Sequence, residues 1–191
     1  MMMRLRPILA ALLLIVAACT AAPEQRQYLL DAPNTATAPI TAPADMSALG
    51  LREIAFPLYA RRAQIAARGP DGAITASDDF RWAEEPARAA TRLVARILAE
   101  RLSTPTYVEP WPQGARPNFV ATIEVDRFIG SLDGEVVLEG QATISALGQN
   151  DERRTVRFAF TEPVAGPTHA DLVRAYGAAL ARLTDVVGGA L

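Results

Sequence analysis

Apolar and polar residues alternate most regularly in the second half of the chain. Ala121, Ile123 and Val125 are interleaved with Thr122, Glu124 and Asp126. Val136, Leu138, Ala142 and Ile144 alternate with Glu135, Glu139, Gln141 and Thr143, and Val156, Phe158 and Phe160 with Thr155, Arg157 and Thr161. A period of two places one set of side chains on each face of a strand. Asp133-Gly134 and Gly148-Gln149-Asn150-Asp151 separate the three runs with tight-turn chemistry. The pattern predicts an antiparallel meander with one wet face.

Two other stretches follow the helical period. From Pro86 to about Leu102, Ala87, Ala90, Val94, Ile97, Leu98 and Leu102 form one apolar face, and Arg88, Arg92, Arg96 and Glu100 the other. Glu84 or Glu85 can cap this helix, with Pro86 at its first position, where the missing N–H costs nothing. Thr168-His169-Ala170-Asp171 resembles a capping box and opens a last helix. Leu172, Val173, Tyr176, Leu180, Leu183 and Val187 form its buried stripe, and Gly188-Gly189 is expected to end it.

The rest supplies shorter elements. Gln27–Asp31 predicts a first strand, and Ala32–Ala48, rich in Ala, Pro and Thr, a loop. Gly50–Leu58 predicts a strand with Leu51, Ile54 and Phe56 facing inward. Gln64–Arg68 and Ala73–Ser77 flank the turn Gly69-Pro70-Asp71-Gly72, and Thr106–Glu109 predicts another short strand. Strands, helix, strands, helix make an α+β fold: an antiparallel or mixed sheet, a C-terminal meander, and two main helices packed on one face.

The N-terminus follows a different rule. Arg4 and Arg6 precede an uninterrupted apolar run from Ile8 to Ala18, which is too short to span a bilayer and matches the h-region of a secretory signal. Val16-Ala17-Ala18-Cys19 closes it with small residues followed by the only cysteine of the chain. The pattern resembles a bacterial lipobox. Cleavage between Ala18 and Cys19 and acylation of Cys19 are the expected processing, giving a signal (1–18), a tether (19–26) and one domain (27–191). The acyl chains on Cys19 are the only non-protein group expected; no cofactor or metal is.

Composition narrows the function. With Arg4 and Arg6 removed, 17 basic residues face 21 acidic ones, a net charge of −4, which disfavours nucleic acid as a partner. Lysine is absent, so there is no Walker-type, Schiff-base or general-base lysine. His169 is the only histidine and lies at a helix start. Asp78-Asp79 and Glu84-Glu85 flank Trp82 and are expected to be solvated on a loop before the first helix. Tyr59, Phe80 and Trp82 either form an exposed aromatic patch or close one end of the sheet. Trp111, between Pro110 and Pro112, is open to either reading. No catalytic set emerges.

Several segments, in order, resemble the ABC-type transport auxiliary lipoproteins (PqiC-like). They are Gln27–Asp31, Phe56–Ile65, Arg81-Trp82-Ala83-Glu84-Glu85-Pro86, Ile123–Phe128, Asp133-Gly134 and Leu138-Glu139-Gly140. Ala60 and Arg61 depart from the usual Leu-Asp of the second segment. The resemblance implies a non-enzymatic periplasmic component of a system moving lipid or another hydrophobic solute between membranes. It would work with a mammalian-cell-entry (MCE) domain protein and an inner-membrane ABC permease and ATPase or integral partner. Thr20 after the cysteine, where aspartate would signal inner-membrane retention, favours the periplasmic face of the outer membrane over the inner membrane. The resemblance also implies an oligomer, with Tyr59, Arg62 and Trp82 as the candidate partner surface. The rival readings are a lipid-binding carrier and an envelope hydrolase.

Overall fold

The computed structural model describes residues 25–33, 38–148 and 152–191. One eight-stranded mixed sheet runs through it: β1 Arg26–Tyr28, β2 Leu49–Leu51, β3 Gln64–Arg68, β4 Ile74–Trp82, β5 Thr106–Val108, β6 Phe119–Gly130, β7 Glu135–Ala146 and β8 Arg153–Pro163. Two helices, α1 (Pro86–Leu102) and α2 (His169–Ala190), share the core with one face of that sheet. This is the expected α+β class.

β6 is the organising strand. One edge pairs antiparallel with β7 along its whole length, and β7 pairs in turn with β8. The other edge takes parallel partners, β2 at Phe119–Ala121 and β3 at Gly130, with a single bridge from Ala55 to Glu124 between them. The meander therefore forms as its alternation predicts. Ala121, Ile123, Leu138 and Ala142 are sealed beneath the helices, whereas Thr122, Glu124, Gln141 and Thr143 keep contact with solvent.

Three local expectations are corrected. Gly50–Leu58 is not one strand: β2 stops at Leu51 and a 3-10 turn occupies Leu58–Arg61. Leu51, Ile54 and Phe56 are nonetheless buried as expected. Ile54 N–H donates to the hydroxyl of Thr91 on α1 (2.9 Å), while the N–H groups of Arg52 and Ala55 on either side donate to β6 at Ala121 O and Ile123 O (3.0 Å each), so helix and strand hold this backbone together. Asp78–Trp82 is the second half of β4 rather than a loop, because β1 supplies a parallel partner at Phe80–Trp82. Finally, α2 passes through Gly188-Gly189 to Ala190. Gly188 is explained by packing, since a Cβ there would come within 2.6 Å of Ile40 Cδ1.

The helix starts agree with the sequence. Glu85 caps α1, its carboxylate accepting from the Ala87 and Arg88 N–H groups (3.3 and 2.7 Å), with Pro86 in the first turn. Thr168 Oγ1 accepts from Asp171 N–H (3.2 Å) at the start of α2. The loop after β1 packs onto the helices: Ile40 N–H donates to Arg101 O (2.9 Å), and Ile40, Ala42 and Met46 lie against the core. Arg101 is buried at the end of α1. It donates to Ala38 O (2.8 Å) and Thr184 Oγ1 (2.6 Å) and pairs with Asp185 (2.7 Å), tying α1, α2 and the loop together.

Candidate functional site

Residues placed together by the sequence separate in space. Trp82 ends β4 inside the core at 9% exposure, its ring edge-on to Tyr176 of α2 with 5.7 Å between centroids. Tyr176 also packs against Phe128 (4.6 Å), and Phe128 against Phe56 (5.0 Å). Tyr59 is half-buried beside this cluster, its hydroxyl accepting from Phe128 N–H (3.0 Å). Arg62 is exposed next to it. Of the three candidate surface residues, Arg62 is thus exposed, Tyr59 half-buried, and Trp82 buried in the core rather than presented at the surface. The most exposed apolar side chain of the region is Leu58, 80% accessible at the tip of the 3-10 turn. Trp111 is half-buried and lies over Gly50 of β2.

The titratable candidates serve the fold. Phe80 stacks on His169 with the rings 3.7 Å apart and nearly parallel, and burial holds the imidazole below its ordinary pKa. Among the described residues no hydrogen bond joins His169 to a hydroxyl or a carboxylate. Asp78 accepts from Gln64 (2.8 Å) and faces Arg81 (3.6 Å), while Asp79 accepts from Ser77 (2.9 Å). Glu84 pairs with Arg92, and Glu85 is the α1 cap. Among the described residues no cluster of three or more His, Cys, Asp or Glu side chains could hold a metal ion. Cys19 and Ala18 lie outside the described residues.

One feature of the open sheet face was not visible in the sequence. A cleft of about 430 Å³ is lined by Arg52, Thr122, Glu124, Thr143, Ser145 and Arg153, with Val120 and Leu147 at its apolar side. Arg52 follows β2 and Arg153 begins β8, so only the strand order β2-β6-β7-β8 brings them near each other. The wet-side alternation of β6 and β7 was the available signal; it marked the hydroxyl floor but not the arginines at the rim. Two guanidinium groups and one carboxylate around hydroxyls can hydrogen-bond a polar segment of another molecule.

Fold and site therefore describe a lysine-free α+β domain in which the carboxylates singled out around Trp82 are engaged in capping and pairing. The chain belongs to the family of ABC-type transport auxiliary lipoprotein components, whose model matches residues 28–188. Two crystal structures are similar to it. An uncharacterized protein superposes with a TM-score of 0.68 at 16% identity, covering 87% of this chain and 97% of the other. Protein XCC0632 from Xanthomonas campestris gives 0.62 at 18% identity, covering 85% and 93%. Both likenesses concern the fold. No curated protein matches the chain.

Among the described residues no helix is long and apolar enough to cross a membrane.

Proposed function

We propose that the protein is a non-catalytic, lipid-anchored component of an MCE/ABC-type system carrying lipid or another hydrophobic solute between the two membranes. Acylation at Cys19, after removal of residues 1–18, anchors it at the periplasmic face of the outer membrane. The folded domain docks the MCE protein there and so supports envelope integrity. Membership of the transport auxiliary lipoprotein family across residues 28–188 is the observation that carries this reading. It places the chain in the cell envelope, in association with an ABC-type transporter.

Two structural features support docking over the rival readings. The lone histidine is stacked on Phe80 and, among the described residues, has no hydroxyl or carboxylate partner with which to form a nucleophile–base pair. Phe158, buried, and Phe160, half-buried, pack into the core between β8 and α2, where a carried acyl chain would need room. What remains for partners is the surface around Leu58, Tyr59 and Arg62 and the arginine-rimmed cleft.

The test is affinity capture of the tagged full chain from detergent-solubilised envelopes after brief cross-linking. Co-recovery of an MCE-domain protein with ABC subunits is expected, and exchange of Leu58→Asp or Arg62→Glu should reduce it several-fold. Recovery of bound lipid alone, with no such partner, would replace this reading with the carrier.

A further inference from the structure

The first strand fixes the direction in which the chain joins the sheet. β1 pairs parallel to β4, with Arg26 level with Phe80, and Gln25 Nε2 donates to Asp78 O (2.9 Å). The N-terminal end of β1 therefore points toward the start of β4 and the turn that links it to β3. Cys19 lies seven steps before Arg26, a span of about 25 Å at most for extended chain. From Phe80 back to Ile74 is about 20 Å at strand rise, and the turn at Gly69–Gly72 projects some ångströms more. Even fully extended, seven steps of chain would reach only about as far as the hairpin tip, so an anchor at Cys19 could not hold the hairpin far from a bilayer.

The hairpin carries matching chemistry. From Arg68 to Asp78 no residue is buried, although both of its strands belong to the main sheet. Ile74 is 48% exposed and stands opposite Arg68, with Pro70 exposed at the tip. The turn is well held: Gly69 N–H donates to Ala73 O (2.8 Å), and Asp71 Oδ1 accepts from Ala73 N–H (3.0 Å). An apolar side chain beside an arginine on a firm projection suits the headgroup layer, where Ile can enter the acyl boundary and Arg can reach phosphate. Among the described residues the other large exposed apolar side chains lie elsewhere: Leu29 follows β1, Leu58 precedes β3, and Leu147 follows β7.

We propose that the β3–β4 hairpin, through Ile74 and Arg68, rests in the phospholipid headgroup layer of the membrane that holds the acyl anchor. The domain then stands with the Leu58–Arg62 turn directed away from that membrane. This rests on the acylation of Cys19 proposed above.

The experiment uses the full chain purified in lipidated form and reconstituted into phosphatidylethanolamine–phosphatidylglycerol vesicles. An acylated Cys19 has no free thiol, so Ile74→Cys, Leu58→Cys and Leu147→Cys each offer one thiol for an environment-sensitive fluorophore. The probe at position 74 is expected to shift to the blue and to be quenched several-fold more by spin-labelled lipid than the probes at 58 and 147. A probe at 74 that behaves as in water, or one at 58 or 147 that is quenched more strongly, would overturn the proposal. Uptake of label by the unsubstituted chain would locate the failure in the acylation of Cys19, and the inference would fall with it.

Discussion

Tyr176 offers the most direct test of how α2 is locked to the sheet. Its side chain is 3% exposed, and its hydroxyl bridges two backbone groups of different strands. It donates to Ala66 O on β3 (3.0 Å) and accepts from Gly130 N–H at the end of β6 (2.9 Å). β3 and β6 share only the Ala67–Gly130 ladder pair, so this phenol reinforces the narrowest junction in the sheet. Tyr176→Phe keeps the ring and its contacts with Trp82 and Phe128 but deletes both bonds. A net hydrogen bond is worth about 1 kcal/mol, and a buried N–H left without a partner costs about 1–3 kcal/mol, so the loss should be ~2–3 kcal/mol. In urea titration the midpoint should fall by roughly 1 M with the slope unchanged, given ~1–3 kcal/mol per molar for such domains. Burial raises the Tyr176 phenol well above its ordinary pKa. The unfolded phenol ionises first, so wild-type stability should decline above about pH 10, the ordinary tyrosine value, and the gap between wild type and Tyr176→Phe should narrow there. A loss below ~0.5 kcal/mol would refute the bridge, because an unmade buried N–H costs about 1 kcal/mol or more.

Other consequences can be measured alongside it. Gly177→Ala should cost ~2–3 kcal/mol by overpacking, because the new Cβ would sit 1.8 Å from Asp31 O, and the melting temperature should fall accordingly. Arg101→Met should cost about 2 kcal/mol by deleting the buried bonds to Ala38 O and Thr184 Oγ1 and the pairing with Asp185, and Arg101→Lys should restore little because one ammonium cannot replace the planar fork. Burial depresses the folded pKa of His169, so its contribution is present above the ordinary histidine value and is lost as pH falls through the depressed one. Urea midpoints at pH 7.5 and 5.5 should therefore diverge for wild type and stay closer together for His169→Gln, while transport function survives His169→Ala. Cys19→Ser should release the protein from the membrane fraction with its circular dichroism unchanged; retention in that fraction would refute anchoring through Cys19.

The sequence determined what short-range periodicity encodes. The three long strands, both helices and their caps, and the inward residues from Ala121 to Val187 followed from apolar spacing and turn dipeptides, since each of those signals acts within a few residues. The family resemblance was legible for the same reason, being carried by local segments in order. What only the tertiary structure decided was pairing across distance. Nothing local says that β1 lies parallel to β4, and that partner turns Asp78–Trp82 from an expected loop into strand. Gly188 resembles a helix stop until Ile40 is found against it. Trp82 sits beneath the surface because Tyr176 covers it, and Arg52 meets Arg153 only through the order of four strands. Periodicity specifies which face of an element is apolar; which element covers that face is settled by the packing of the whole chain.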